Sequence, residues 1–168
     1  MKIAITGSDK ISNYEFMEKL CINIISKEQY YREVPTWKIE FVSGDSPKGI
    51  DHSCRKFVNK HTKSDPNIFV ANWRDMDEQP SFPRTDYFGL MNASAGYNRN
   101  TRLVDYLSEG EDVVIAFDGE DKPTKDIIRK SKKYKIKTYQ IKCENIEEVK
   151  IKIYNGAKNE TFVLPTEL

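Results

Sequence analysis

The sequence predicts a single α/β domain, a Rossmann-like three-layer sandwich with a mainly parallel sheet. Short apolar runs alternate with longer amphipathic segments through most of the 168 residues, as expected when helices connect parallel strands. The clearest run, residues 112–117, is apolar at almost every position, which is typical of a strand buried on both faces. Several runs end in small glycine-bearing loops. Because such sheets bind ligands outside the carboxyl ends of their strands, these loops are where a site is expected.

The first half of the chain predicts the order strand, helix, strand, helix, strand. Residues 2–6, 37–43 and 67–71 are the three strand candidates. Ser12 or Asn13 is placed to cap the first helix. The apolar residues of that helix recur at helical spacing and are Met17, Leu20, Cys21, Ile24 and Ile25. The second helix follows the loop after the second strand and carries on one face Cys54, Phe57, Val58 and His61.

Residues 74–95 interrupt this alternation, because their prolines and aromatic residues show no clean period. We expect an irregular insertion and a candidate lid, since long connections without secondary structure in compact domains are usually functional. Its aromatic side chains would either stack on a ligand base or cover the edge of the sheet, and the sequence leaves both open. The regular pattern then resumes with a helix at residues 96–107, the strand at 112–117, a helix containing Ile127 and a strand at 136–141.

The end of the chain allows two interpretations. Apolar residues between positions 146 and 153 fit either a strand or a helix, and Asn155 with Gly156 favours a turn that would make a hairpin. We therefore divide the chain into residues 1–142, the Rossmann-like domain, and residues 143–168, a C-terminal extension that is a helix or a hairpin.

Net charge and the cysteine and histidine positions argue against several classes of function. A net charge of +1 argues against a strongly basic nucleic-acid binder. The three cysteines are far apart and form no CxxC pair, so reduced thiols in the core are expected. His52 and His61 have no cysteine or carboxylate at ligand spacing, and we predict neither a metal nor a cofactor.

Two expectations concern the surroundings of the protein. The chain starts without a signal-type segment and has no apolar run close to the roughly 18 residues of a membrane span, which predicts a cytoplasmic protein without a membrane partner. Apolar residues in the insertion and in the tail have no obvious partner within one sandwich, which favours a homo-oligomer.

The loop between the second strand and the second helix carries the strongest local signal. Gly44 and Gly49 flank a short polar stretch that contains Lys48. Glycines let backbone N–H groups approach a ligand, and the N-terminus of a helix favours an anion. Asp51 is positioned to be the helix N-cap or to accept a hydrogen bond from a ligand hydroxyl. Three further loops of this kind occur along the chain.

Five short motifs follow one another in an order known from one group of proteins. They are Gly7-Ser8, Ser43-Gly44 with Lys48-Gly49-Ile50-Asp51, Ala71-Asn72-Trp73, Ala95-Gly96-Tyr97-Asn98-Arg99-Asn100, and Asp118-Gly119 through Thr124. Together they resemble the SLOG superfamily, in its YspA/cpYpsA-related branch, whose loops read GSR, SGGARGAD, ADW, AGxxRN and DGxSxGT. The resemblance covers most of the chain and implies a Rossmann-like domain that binds a nucleotide or a nucleotide-derived ligand.

The resemblance also implies which residues surround the ligand. Arg99 would give its guanidinium to a phosphate or to an adjacent carboxylate, and Gly119 with Thr124 would face a phosphate. Trp73 is placed either to stack on a base or to join the core. The other residues implied in the ligand loops are Gly7, Ser8, Ser43, Gly44, Gly49, Asp51 and Asn100.

Three departures from the family pattern bear on catalysis more than on the fold. Asp9 stands where the first loop of the family has an arginine. In the second loop Lys48 would keep a positive charge, while Pro47 removes a backbone donor. Pro123 replaces the glycine that precedes Thr124.

Three functions remain open. The altered loops favour a module that binds or senses a nucleotide-type small molecule. Asp51 and Asp118 would instead be catalytic in a hydrolase or transferase acting on a nucleotide N-glycosidic bond, where carboxylates stabilise an oxocarbenium-like transition state. The related LOG enzymes cleave such bonds, although residues 118–126 lack their PGGxGTxxE loop. The second loop and residues 98–108 also resemble DprA, which implies single-stranded nucleic-acid binding and ranks third.

Overall fold

The computed structural model describes residues 1–143, 148–156 and 158–165, and within these residues four α-helices cover a seven-stranded sheet. The elements before the insertion are β1 (Lys2–Gly7), α1 (Tyr14–Arg32), β2 (Glu40–Gly44), α2 (Gly49–Thr62) and β3 (Asn67–Phe69). The elements after β3 are β4 (Pro83–Asp86), β5 (Gly89–Asn92), α3 (Ala95–Asp105), β6 (Val113–Phe117), α4 (Lys122–Lys133), β7 (Lys137–Cys143), β8 (Glu148–Asn155) and β9 (Lys158–Pro165).

The order of strands in the large sheet is β3-β2-β1-β6-β7-β8-β9. All pairs from β3 to β7 are parallel, which confirms the predicted α/β class with a mainly parallel sheet. The chain moves outward from β1 to β3 and then returns to place β6 on the other side of β1. The crevice at the carboxyl ends of β1 and β6 is therefore the topological switch point, where open α/β sheets bind ligands.

The core has two parts, one on each face of the sheet, because successive residues of a strand point to opposite faces. Ile3 and Ile5 of β1 pack with Met17 of α1 and with α2. Ala4, between them, packs with Leu103 of α3 and with α4. This alternation defines the three layers.

The expected apolar faces of α1 and α2 are buried, except at His61 of α2, which is exposed. The apolar face of α1 is buried from Met17 to Ile25, and Asn13 caps the helix by accepting a backbone N–H. Cys21 and Cys54 are buried free thiols. Burial in apolar surroundings raises the pKa of both, to about 12 for Cys54.

Three elements differ from the prediction. The second strand begins at Glu40, because Thr36–Lys38 forms a 3-10 turn that leaves Trp37 79% exposed. The third strand is shorter and ends at Phe69. The insertion is not irregular throughout, since β4 and β5 pair as an antiparallel hairpin. All four residues of β4 are exposed, so no buried face imposes an alternating pattern that the sequence would reveal.

The C-terminal extension is a hairpin rather than a helix, as far as the structure describes it. β8 pairs antiparallel with β7, and β9 returns antiparallel to β8, so the extension enlarges the same sheet. Gly156 has the positive φ of 60° that the turn requires. Residues 144–147, 157 and 166–168 of the predicted extension lie outside the described residues.

None of the helices in the described ranges combines the length and the apolar character needed to cross a membrane. The cytoplasmic location and the homo-oligomer stay predictions.

Candidate functional site

The loops after β1 and β6 pack directly against each other at the switch point. A Cβ on Gly7 would lie 2.5 Å from the carbonyl oxygen of Phe117, and one on Gly119 would overlap the side chain of Ser8. Ser8 is itself buried and donates its backbone N–H to Phe117 O at 3.0 Å. The absence of side chains at Gly7 and Gly119 therefore allows the loops after β1 and β6 to contact each other.

The N-terminus of α2 rests on the first loop. Gly49 has φ +67°, and a Cβ there would lie 2.5 Å from Ser8 O. The backbone N–H of Ile50 donates to the same oxygen at 3.3 Å. The helix consequently starts early, with Lys48 as its N-cap, and Asp51 lies inside the first turn. The expectation that Asp51 caps the helix is wrong for this reason.

Arg99 of α3 connects Asp45, which follows β2, to Asp51 in the first turn of α2. Its Nη1 donates to Asp45 Oδ1 at 2.9 Å and to Asp51 Oδ2 at 3.4 Å. The guanidinium fits here because position 44 is a glycine, and a Cβ at that position would overlap it. The guanidinium thus lies beside carboxylates, which is one of the two arrangements expected for Arg99. We call Asp45, Asp51 and Arg99 the carboxylate cluster.

Asp51 is 2% exposed and is held by three donors. Besides Arg99, the hydroxyl of Thr6 donates to its Oδ1 at 2.9 Å and the backbone N–H of Ser46 to its Oδ2 at 3.3 Å. Burial raises the pKa of Asp51, although the Arg99 charge and these hydrogen bonds oppose the rise. Asp45 is more exposed and also accepts the backbone N–H of Ala71 at 3.0 Å.

A protein carboxylate also occupies the N-terminus of α4. Asp121 caps that helix and accepts both the backbone N–H of Thr124, at 2.9 Å, and its hydroxyl, at 3.0 Å. Burial acts to raise the pKa of Asp121, but hydrogen bonds from the Thr124 amide and from the hydroxyls of Ser8 and Thr124 outweigh it and lower the pKa. The donors that Thr124 was expected to offer a phosphate are thus bonded to Asp121.

Asp118 lies in a different environment from Asp51. Its Oδ1 accepts the backbone N–H of Glu120 at 2.8 Å, and its Oδ2 accepts Gln140 Nε2 at 2.5 Å. Lys142 Nζ is 3.6 Å from the same oxygen. The two aspartates predicted to be catalytic are both buried, but they share none of these partners.

The remaining predicted residues have structural partners of their own. Ser43 is fully buried and donates its hydroxyl to Ile5 O at 2.8 Å. Lys48 is exposed and pairs with Asp9 at 3.1 Å. Asn100 is buried, and its Oδ1 accepts Arg99 Nε at 3.0 Å.

The amide group of Asn100 also reaches α4. Its Nδ2 donates to Pro123 O at 3.1 Å and to Asp126 Oδ2 at 3.2 Å. A single side chain therefore joins the carboxylate cluster to the helix that comes after β6.

A wide cleft of about 920 Å³ is lined by residues 71–75, which follow β3, together with Asp86 and Met91. Trp73 lines it and is 45% exposed, so its ring is neither fully in the core nor fully in solvent. Ala71, which donates to Asp45, lines the same cleft. Ala71 therefore links the cleft that Trp73 lines to the carboxylate cluster.

Sequence reasoning missed Asp45, Asp121 and Thr6 as members of the site. Asp121 had a local signal, because it precedes Thr124 by three residues, the spacing of an N-cap contact. Asp45 directly follows the loop glycine Gly44, but nothing in the sequence pairs it with Arg99. Among the residues that the structure describes, no group of three or more histidine, cysteine, aspartate or glutamate side chains is arranged to hold a metal ion.

Compared with known proteins, the chain has no significant match to a family model, to a curated protein or to a solved structure. The resemblance to the SLOG superfamily stays a prediction, and function is inferred from the site.

Proposed function

We propose that this protein binds a nucleotide-derived ligand at the carboxyl ends of β1 and β2, as a binding or sensing module that recognises the nucleoside part. The observation that carries the proposal is the carboxylate cluster, joined through the Ala71 amide to a cleft lined by Trp73. Carboxylate oxygens accept hydrogen bonds from sugar hydroxyls. An indole face stacks on any base, because every base has a π-face.

Charge favours the nucleoside part over the phosphate at this place. When both aspartates are ionised, the carboxylate cluster holds one more negative charge than positive charge. Asp51 lies within the first turn of α2, and Asp121 caps α4. These carboxylates would repel a phosphate, whereas the hydroxyls of a neutral sugar would donate hydrogen bonds to them.

Calorimetric titration with the four common ribonucleosides tests the proposal. The two tryptophans provide a matched pair, since Trp73 lines the cleft and Trp37 is exposed elsewhere. We expect Trp73→Ala to weaken binding of the preferred nucleoside by about tenfold, because stacking on an aromatic side chain contributes about 1–3 kcal/mol per base. Trp37→Ala should leave binding unchanged.

Two results would contradict the proposal. One is the absence of measurable binding of any nucleoside at about millimolar concentration, since a specific pocket binds more tightly than that. The other is equal weakening by Trp73→Ala and Trp37→Ala, which would place the base elsewhere.

A second candidate, cleavage of a nucleotide N-glycosidic bond, has one observation in its favour. Asp51 is a buried carboxylate whose pKa is raised by burial, and groups of this kind recur at catalytic sites. Chromatographic detection of free base from nucleosides and nucleoside monophosphates tests it. We expect Asp51→Asn to abolish release of the base while binding persists. Release that survives in Asp51→Asn would remove this candidate, and Asp118→Asn shows whether the second aspartate takes part.

A further inference from the structure

A second groove, of about 570 Å³, lies between β4, α3 and α4. It is separate from the cleft at Trp73, because the two have no lining residue in common. Six of its lining side chains carry a charge or an aromatic ring, and they are Phe82, Arg84, Tyr97, Asp126, Arg129 and Lys130. We call it the α3–α4 groove.

Positive charge exceeds negative charge in the α3–α4 groove. Asp126 is buried and binds two cations, Arg129 Nη2 at 2.7 Å and Lys130 Nζ at 2.8 Å. Arg84 adds a third cation, and it has no ion pair within the described ranges of the chain. Three cations and one carboxylate therefore line the groove, and two of the cations bind that carboxylate.

The cations are positioned to meet a ligand. Arg129 is 68% exposed, so its guanidinium has room for a bidentate contact in addition to Asp126. Lys130 is largely covered, and its Nζ is fixed by donating to Tyr97 O at 2.7 Å as well as to Asp126. Groups that are held before the ligand arrives lose less freedom on binding.

Aromatic surface accompanies this charge. Phe82 is 64% exposed just before β4, and Tyr97 of α3 is partly exposed on the same groove. Guanidinium groups next to aromatic rings suit a ligand that is anionic at one end and planar at the other. The volume of the groove lies within the range of small-molecule sites, about 300–1,000 Å³.

We propose that the α3–α4 groove binds a phosphorylated aromatic small molecule of the nucleoside monophosphate class, with the phosphate at Arg84 and Arg129 and the ring at Phe82 and Tyr97. This site does not depend on the function proposed for the carboxylate cluster. The balance of charge in this groove is opposite to that in the carboxylate cluster. Here cations outnumber the single carboxylate, so the phosphate is the part of the ligand that is attracted.

The test compares two double variants by calorimetric titration with the four ribonucleoside 5′-monophosphates and with their nucleosides. Arg84→Gln with Arg129→Gln removes two charges from the groove. Lys122→Gln with Lys133→Gln removes two charges from exposed positions of α4 that do not line it. We expect the first pair to weaken binding of the preferred monophosphate by about tenfold or more, since charge-assisted bidentate contacts are strong. The second pair should have no effect, and neither should change nucleoside binding.

Four outcomes would overturn the proposal. The first is no binding of any monophosphate to the unaltered protein at about millimolar concentration, and the second is equal affinity in the two double variants. The third is binding of inorganic phosphate as tight as that of the monophosphate. The fourth is that the variant Arg84→Gln with Arg129→Gln loses affinity for a short oligothymidylate while no monophosphate binds, which would indicate nucleic acid. Weakening of monophosphate binding by Trp73→Ala alone would instead place the ligand at the carboxylate cluster. The two proposals therefore fail separately.

Discussion

The carboxylate cluster and the α3–α4 groove both contain ion pairs between carboxylates and cations, but carboxylates are in excess in the cluster and cations are in excess in the groove. In the cluster one guanidinium, Arg99, is shared by Asp45 and Asp51. In the groove one carboxylate, Asp126, is shared by Arg129 and Lys130. Around the cluster are glycine loops and helix N-termini of the kind that usually hold anions, but groups of the protein occupy these N-termini, the Ser8 carbonyl at α2 and the Asp121 carboxylate at α4. The groove has the excess of cations, so the ion pairs determine which charge each region accepts.

The largest expected effect measures how much the Arg99 ion pair contributes to stability in the carboxylate cluster. Arg99→Met leaves Asp51 buried without its cation, and breaking such a pair by removing one partner costs about 3–5 kcal/mol. We expect a loss of that size in the free energy of unfolding, measured with urea. Adding Asp51→Asn should recover part of the loss, because the buried charge is then absent. A loss below about 1 kcal/mol would mean that solvent already screens the cluster.

A smaller effect tests whether protein backbone closes the N-terminus of α2. Gly49 and Gly110 both have positive φ, but only Gly49 has atoms in the place of a Cβ. A non-glycine residue at positive φ costs about 1–3 kcal/mol. We expect Gly49→Ala to lower the free energy of unfolding by at least about 1 kcal/mol more than Gly110→Ala does, because of overlap with Ser8 and Asp9. Equal losses would indicate that the first loop can move away.

A third prediction concerns the side chain that joins the two regions. Asn100→Leu removes the bonds to Arg99 Nε and Asp126 Oδ2 while keeping a similar volume. Leaving buried polar groups without partners costs about 1–3 kcal/mol, and we expect this loss in chemical unfolding. Thr101→Val, on the same helix, is the control, since its hydroxyl donates only within α3. If the two variants lose the same stability, Asn100 does not connect the regions energetically.

The smallest effect is a difference in pH dependence between Asp51 and Asp121. The pKa of Asp51 is raised in the folded state, so its contribution to stability is lost as pH rises through that raised pKa. The pKa of Asp121 is lowered, so its contribution is lost as pH falls below the unfolded value of about 3.8. Urea unfolding between about pH 3 and pH 8 measures both effects.

The two asparagine variants should therefore change in opposite directions. Relative to the unaltered protein, Asp51→Asn should gain stability as pH rises, and Asp121→Asn should gain stability as pH falls below about 4. The same direction in both would show that one of the two carboxylates is not in the environment described.

Much of the fold was predictable because its signals are local. The apolar face of α1 and the wholly apolar β6 each follow from burial of one face or of both faces of a single element. The hairpin of β4 and β5 gave no such signal, because most of its residues are exposed and no buried face imposes a period. The 3-10 turn at Thr36–Lys38 likewise shortened a strand that composition alone would extend.

For the site, the positions of the loops follow from the sequence, since parallel strands bring their carboxyl ends to one edge and Gly7, Gly44 and Gly119 lie at or just after those ends. Which groups fill those loops depends on how distant parts of the chain pack together. Asp45 and Arg99 are 54 residues apart in the chain, and their contact depends on how α3 packs against β2. A glycine in the sequence indicates that some atom approaches the backbone closely, but it does not indicate which atom this is. Here that atom belongs to Arg99 at Gly44, to Phe117 at Gly7 and to Ser8 at Gly119.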